Sequence, residues 1–323
     1  MVRVGVTGAT GFIGGALVPH LERLGYDLVP VDDRSGPIVV EHPERPALVA
    51  DFSSALALKA LSDCDVILHL GAVSGVMISA QEPERTARVN IDGTRRLVEL
   101  CRERGIPLAF ASSFAVVGRP ERLPVTEDTP AHPTHEYARQ KAAGESLVLS
   151  LAESGRAPAA TLRMSNVYGG YSVEGRLISK GNVIELFARQ ARSGRLTVNS
   201  PGTQRRDFIH LEDVLSHWEA LVRFLQQSTG APVARTFNAA SGEALSVLEV
   251  AGKVQRVYSR LRPDAETLVI DVVPNPREGI ELIEPGFAVN REMTERVLGV
   301  SCRFTLDKVL PSILGEPGVL APQ

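Results

Sequence analysis

Short apolar runs of four or five residues recur along the first half of the chain, at 3–7, 28–31, 47–50, 66–70 and 108–111, with another at 159–163. Between them lie longer stretches with apolar residues at helical spacing, at 13–24, 83–104 and 136–153. Continuous short apolar runs alternating with helix-length segments predict buried strands of a parallel sheet with helices on both faces. After residue 163 the rhythm changes. Loops lengthen, helices are predicted at 182–193 and 211–227, and isolated strands at 207–210 and 236–239. The pattern therefore predicts an α/β chain. A doubly wound parallel sheet occupies 1–165, and a smaller α/β region occupies 166–323, with later segments able to cross back.

Composition narrows the classes. The 323 residues are 44% hydrophobic, enough for a substantial core, and carry 35 Lys+Arg against 38 Asp+Glu. A net charge of −3 without basic clusters argues against nucleic acid or an anionic membrane as partner. Cys64, Cys101 and Cys302 are widely spaced, which predicts reduced thiols and neither a metal site nor a disulfide framework. No apolar run is long enough to span a bilayer, and no signal peptide precedes the first strand, so a cytoplasmic protein is expected.

The first strand opens into "VGVTGATGFIGGAL", with Gly8, Gly11 and Gly14 before a helix. Glycines in such a turn permit a tight bend and close approach of a pyrophosphate to the backbone, and the helix N-terminus faces the anion. The second strand ends in "LVPVDDRSG", placing Asp32 18 residues beyond Gly14. A carboxylate at that distance suits an adenosine ribose hydroxyl and would repel a 2′-phosphate, favouring NAD over NADP. Arg34 is the counter-argument, because an arginine there can accept such a phosphate.

Further on, "HEYARQKAAGE" puts Tyr137 and Lys141 at i,i+4, on one helix face. An ammonium beside a phenol is expected to lower the phenol's pKa and make it a usable base. The strand ending "LAFASSFAVVG" brings Ser112 and Ser113 to its C-terminal end, where ligands bind in open α/β sheets. Asn90, in "RVNIDGTRRLVEL", is placed to orient backbone and water nearby.

Taken in order, these motifs resemble the extended short-chain dehydrogenase/reductases, in particular the NAD-dependent nucleotide-sugar epimerase/dehydratase family. "TGATGFIG" is similar to that family's T-G-x-x-G-x-x-G, "DVILHLGAVSG" to its H-L-A-A-type strand, and "ASSFAVVG" to S-S-x-x-V-Y-G. "YARQK" is similar to its Y-x-x-x-K, and "LRMSNVYG" and "RRDFIHLEDV" are also similar to family segments. The resemblance runs from residue 2 to about 310. It implies a Rossmann-type NAD-binding domain over 1–165 and a mainly substrate-binding remainder. Gly8, Gly11, Phe12, Ile13 and Gly14 would line the pyrophosphate and Asp32 the ribose. Asp51 and Phe52 would flank adenine, Leu70, Gly71 and Ala72 would pass beneath the cofactor, and Asn90, Tyr137 and Lys141 would complete its site. Ser113, Tyr137 and Lys141 would be catalytic, Ser113 being aligned on Gly118 with Ser112 the neighbouring alternative. Ser113, Asn166, Asn182, Arg206 and Arg277 would hold the substrate, arginines suiting phosphate through their planar donor fork. His210 and Asp213 are expected to be structural.

Departures from the pattern are Val117 for a tyrosine, Ala115 for serine or threonine, Gly71 for an alanine, expected to be harmless, and Asn290 for an aspartate. The resemblance implies transient oxidation of a sugar hydroxyl to a keto intermediate, with Tyr137 taking the proton and NAD the acceptor. The acid pair used by 4,6-dehydratases is missing after Ser113, where Phe114 and Ala115 stand. That points to C4 epimerisation of a UDP-sugar, and the resemblance also implies a homodimer. The alternatives are a dehydratase or dehydrogenase of the same family, or an NAD-binding sensor without catalysis.

Overall fold

The computed structural model describes residues 1–153, 155–228, 230–231, 233–275 and 287–315. Its strands are β1 (Arg3–Thr7), β2 (Asp27–Asp32), β3 (Leu48–Val49), β4 (Val66–His69), β5 (Leu108–Ser113), β6 (Ala159–Met164), β7 (Asn166–Tyr168), β8 (Gly170–Val173), β9 (Arg176–Ser179), β10 (Arg195–Asn199), β11 (Arg205–His210), β12 (Ala234–Ala239), β13 (Ala244–Ser246) and β14 (Val269–Val273). Seven form one sheet in the order β12-β6-β5-β4-β1-β2-β3. All its pairings are parallel. This is the Rossmann-type doubly wound sheet that the alternation predicts, reversing direction of strand order between β1 and β4.

Side chains divide between the two faces with period two, as pleating requires. Val4, Val6, Val66, Leu68, Ala109, Ala111, Ala160 and Leu162 point to one face, packed by α1 (Phe12–Arg23) and a later helix, Leu211–Gln227. Ile67, Leu108, Phe110 and Ala159 point to the other, covered by α2 (Ala55–Leu61), the helix Thr94–Arg104 and the helix Glu136–Glu153. Thus β12 and the helix Leu211–Gln227, both beyond residue 165, belong to the main sheet's core. The chain does cross back.

The remaining strands form small sheets: β13-β11-β7, β10-β14 and β8-β9. A second core surrounds Phe187, Leu196, Val198, Val250, Val254 and Leu310. It is filled by α7 (Val183–Ala191), α9 (Val247–Leu261) and α11 (Leu306–Gly315), counting Val76–Gln81, Pro83–Ala87, Thr94–Arg104 and Glu136–Glu153 as α3 to α6, Leu211–Gln227 as α8, and Glu292–Leu298 as α10. Among the described residues, no helix is long and apolar enough to cross a membrane.

The single helix predicted over 83–104 is interrupted. It runs as α4, a π-helical turn at Arg88–Gly93, and α5. Such wide turns occur where a side chain must be re-aimed, often at functional sites.

Candidate active site

A cleft of about 800 Å³ opens along the C-terminal ends of β1, β2, β4, β5 and β6. Ligands bind at this edge of open parallel sheets, beside the switch in strand order. Its lining includes Gly8, Gly11, Phe12, Ile13, Gly14, Asp32, Asp51, Phe52, Leu70, Gly71, Ala72, Ser113, Tyr137 and Lys141. One cleft therefore brings together all the residues expected for cofactor and catalysis except Asn90.

The glycine loop is built by close approach. Gly8 has φ +69°, and a Cβ on it would lie 2.7 Å from the Gly71 amide nitrogen. A Cβ on Gly14 would overlap the Gly8 carbonyl oxygen. At Gly11 a Cβ would meet only the Gly8 oxygen, at 3.4 Å, so the backbone there is bare toward the cleft. Gly11 is also the N-cap of α1 and supplies no side-chain acceptor, leaving first-turn amides available to an anion. These features fit a dinucleotide pyrophosphate.

Asp32 ties the loop to the end of β2. Its Oδ2 accepts from the Thr10 amide at 3.0 Å and its Oδ1 from the Arg34 amide at 2.6 Å. Arg34, at φ +59°, pairs with Glu41 at 2.8 Å. The cation that could favour a 2′-phosphate is thus committed to a carboxylate. Asp51 is exposed and accepts from the Ser53 amide and hydroxyl, at 2.7 and 2.8 Å. Phe52 is buried against His69, ring centroids 4.7 Å apart. It also explains Gly71, where a Cβ would lie 2.9 Å from the Phe52 ring, and Gly93, where a Cβ would meet the same ring at 2.9 Å. The glycine at 71 is therefore required by its neighbour; an alanine there would press on Phe52.

Asn90 does not line the cleft. It is buried in the π-helical turn, where its Oδ1 accepts from the Val73 amide and its Nδ2 donates to the Val73 carbonyl, both at 2.9 Å. Nδ2 also donates to Gln140 Oε1 at 2.7 Å, joining the turn to α6 beside Lys141. Asn90 reaches the cleft through Val73, which does line it. A second buried chain runs alongside. Thr94 donates to the Asn90 carbonyl, so it accepts from His69 Nε2 at 2.9 Å. His69 Nδ1 then accepts from Thr7 Oγ1 at 2.7 Å, and Thr7 accepts from the Gly71 amide at 3.1 Å. Burial pushes His69 down to about 3, so it is the neutral tautomer this chain needs.

At the other end of the cleft, α6 lies close on β5 because Gly144 has no side chain; a Cβ there would come 2.5 Å from the Phe110 ring. One turn earlier, Lys141 Nζ donates to the Ala111 carbonyl at 2.8 Å and sits over the Phe110 ring, 4.8 Å from its centroid. Burial, then the charge of Lys180, lower its pKa to about 8, with Glu145 opposing. Glu145 itself pairs with buried Arg163 at 2.9 Å. The Tyr137 hydroxyl is within reach of Ser74, at 3.5 Å, and Ser113 lines the same end of the cleft. Burial raises its pKa above 10, and the two serines only offset this. The expected depression by Lys141 is absent because burial is the larger effect and Lys141 is bonded elsewhere, to Ala111. Ser112 also lines the cleft; it is 2% exposed, and its Oγ has no hydrogen-bond partner among the described residues.

The expected substrate residues form a separate group beside the cleft. Asn166 begins β7 and donates to the Asp207 carbonyl at 3.1 Å. Asn182 caps α7, accepting from the Ile184 amide and donating to the Val167 carbonyl, both at 2.8 Å. Arg206 precedes Asp207 on β11 and donates to the Arg205 carbonyl at 2.8 Å. These three share one neighbourhood, whereas Arg277 lies outside the described residues. Asp213 accepts from the Arg303 and Phe304 amides, at 3.0 and 3.1 Å, and His210 accepts from the Glu212 amide at the start of α8. Val117 is fully buried beside Phe114 and Val125, and Asn290 accepts from the Glu292 amide at 2.9 Å. Sequence reasoning missed Ser74 and Lys180, which also line the cleft. Both come from irregular segments, where no periodicity marks them. Among the described residues, no group of His, Cys, Asp and Glu is placed to hold a metal.

Residues 4–240 match the model of the NAD dependent epimerase/dehydratase family. The chain is 30% identical to UDP-glucose 4-epimerase of Mycolicibacterium smegmatis, over 77% of this chain and 80% of that protein. Among solved structures, MoeE5 in complex with UDP-glucose and NAD is similar at 26% identity and TM-score 0.75, with 97% of each chain covered. The NAD-dependent NDP-hexosamine 5,6-dehydratase TunA is similar at 26% identity and TM-score 0.77, again over 97% of each chain. The glycine loop, the Tyr137–Lys141 pair and these similarities agree: the chain belongs to the NAD dependent epimerase/dehydratase family.

Proposed function

We propose that this chain is an NAD-dependent nucleotide-sugar epimerase of the extended short-chain dehydrogenase/reductase type, inverting C4 of a UDP-sugar. The observation that carries the reading is the convergence of Ser113, Tyr137 and Lys141 at one end of a cleft that has the glycine loop at the other. Gly8, Gly11 and Gly14 hold the pyrophosphate of NAD, Asp32 the adenosine ribose, and Phe52 the adenine side. NAD, when bound, supplies the two-electron acceptor for the sugar carbon and returns the electrons. Tyr137 takes the proton of the sugar hydroxyl and later gives it back. Ser113 donates to the same oxygen, and Lys141, one turn along α6 and bonded to Ala111, keeps a positive charge on the same helix face as the phenol. Epimerisation needs no further acid or base, and Phe114 and Ala115 follow Ser113 where a dehydratase has its pair. Asn166, Asn182, Arg206 and Arg277 hold the nucleotide diphosphate. A division at about residue 165 separates the cofactor-binding part from the mainly substrate-binding part.

The same reading places the enzyme in the cytoplasm as a homodimer joined through α5 and α6. The outer positions of these helices are mostly charged, with Arg95, Arg96, Glu99 and Arg139 exposed. Pairing there would rest on ion pairs more than on apolar burial.

The test is incubation with UDP-, dTDP-, GDP- and ADP-sugars, with product analysis and absorbance at the NADH band. C4 inversion without net NADH is expected. Stoichiometric NADH would mean a dehydrogenase, and loss of water a dehydratase.

A further inference from the structure

The opening loop carries one glycine more than the G-x-x-G-x-x-G spacing needs, and Gly15 is there for a different reason. A Cβ on it would lie 2.6 Å from the Tyr171 hydroxyl oxygen and 2.8 Å from Val40 Cβ. Two segments therefore meet over the first turn of α1. One is the stretch after β2. Its Val40 amide donates to the Thr10 carbonyl at 2.8 Å, and its His42 Nε2 donates to the Gly15 carbonyl at 2.7 Å. The Gly15 carbonyl has no helical partner, because residue 19 is a proline without an amide hydrogen. The other segment is the β8–β9 hairpin, from beyond residue 165. It is closed by the two-residue turn Glu174–Gly175, with φ positive at both positions.

Tyr171 is the hairpin's hold on the loop. Its hydroxyl donates to the Phe12 carbonyl at 3.0 Å, between residues 159 apart in sequence, and its ring stacks on Phe12 with centroids 6.2 Å apart. Val173 and Ile178 of the same hairpin pack against the core that contains Phe12 and Val40. Burial raises the Tyr171 pKa, so its hydroxyl stays a neutral donor. Phe12 lines the cleft and begins α1, whose first-turn amides are available to the pyrophosphate. Tyr171 itself stands behind Phe12, outside the cleft lining. We propose that Tyr171 is a positioning residue for NAD, fixing the first turn of α1 against the β8–β9 hairpin and thereby slowing release of the bound dinucleotide. A turn already held at its carbonyls need not be ordered by the ligand, and such preorganisation strengthens binding. The proposal uses the cofactor site alone and holds whichever sugar reacts.

Exchange of isotopically labelled NAD, bound to the purified protein, against excess unlabelled NAD tests it. Tyr171→Phe keeps the stacked ring and removes the donor, and should release NAD about five- to tenfold faster than the wild type. Ser172→Ala, on the exposed face of the same strand, should release it at the wild-type rate. Urea unfolding of the NAD-free proteins is measured alongside. A Tyr171→Phe protein that is less stable but releases NAD at the wild-type rate would make the bond merely structural and overturn the proposal. So would equal acceleration by Ser172→Ala. A second measurement needs no variant to fold: by linkage, NAD should slow amide hydrogen exchange in the β8–β9 hairpin of the wild type. Hairpin exchange unchanged by NAD would also overturn it. If release follows Tyr171 but no nucleotide-sugar is inverted, the epimerase reading fails and the Tyr171 assignment stands.

Discussion

The two ends of the cleft are built on opposite principles. At the adenosine end the charges are acidic and locally satisfied. Asp32 and Asp51 each accept from the amide two residues on, Asp32 adding a bond to the glycine loop. At the other end the buried charge is the Lys141 ammonium, held by the Ala111 carbonyl from a distant part of the chain, and the Tyr137 hydroxyl reaches only Ser74, at 3.5 Å. The first arrangement is inexpensive and folds with its own turn. The second stores desolvation cost in functional groups, which the rest of the fold must offset.

The comparison breaks most sharply at Tyr137. Tyr137→Phe is expected to lower kcat by about 10³-fold, roughly 4 kcal/mol of barrier, while the purified protein still carries NAD. Retained turnover would remove the phenol from the chemistry.

Behind the reacting end, Glu145 and Arg163 form a pair about 6% exposed on each side, and Arg163 also donates to the Thr129 carbonyl. Glu145→Ala strands the guanidinium and should cost at least ~3 kcal/mol in urea unfolding. A change within error would mean that water or a loop carbonyl replaces the carboxylate.

Lys141 has the opposite sign. Its folded pKa of about 8 is below its ordinary 10.5, so below pH 8 both states are charged and the full cost of burial is present. Between pH 8 and 10.5 the unfolded chain binds more protons than the native one, and this cost fades as pH rises. Lys141→Met should therefore be inactive yet more stable by about 2–3 kcal/mol at pH 7, the gain shrinking toward pH 10. A pH-independent difference would mean that packing, not charge burial, sets it.

The smallest effect is expected at the acidic end. Asp32→Asn keeps one acceptor and loses the other, so NAD affinity should fall by about tenfold, read by fluorescence titration, with little change in fold stability. Because Arg34 is held by Glu41, the variant should gain no comparable affinity for NADP.

How legible each end was follows from the same contrast. The glycine loop, Asp32 and the strand-end serines could be read from the chain because they sit at fixed distances from strand and helix boundaries. The i,i+4 spacing likewise placed Tyr137 and Lys141 on one face. Their electrostatics could not be read this way. Spacing suggests a phenol whose pKa is lowered by a neighbouring ammonium, whereas the fold buries the phenol and gives the ammonium to Ala111. Asn90 was legible as a polar helix residue, but its bracket on Val73 depends on the π-helical turn, which no periodicity announces. Gly71 read as a harmless departure and is instead matched to Phe52.

The sequence by itself determined the parallel sheet, the glycine loop and the placing of Tyr137 and Lys141 on one helix face, because apolar period and motif spacing are local properties of the chain. The tertiary structure alone decided which strand and helix from beyond residue 165 complete the sheet. It also decided that Lys180 lines the same cleft as Lys141. Both depend on packing between segments far apart in sequence, and burial and charge proximity exist only once those segments meet.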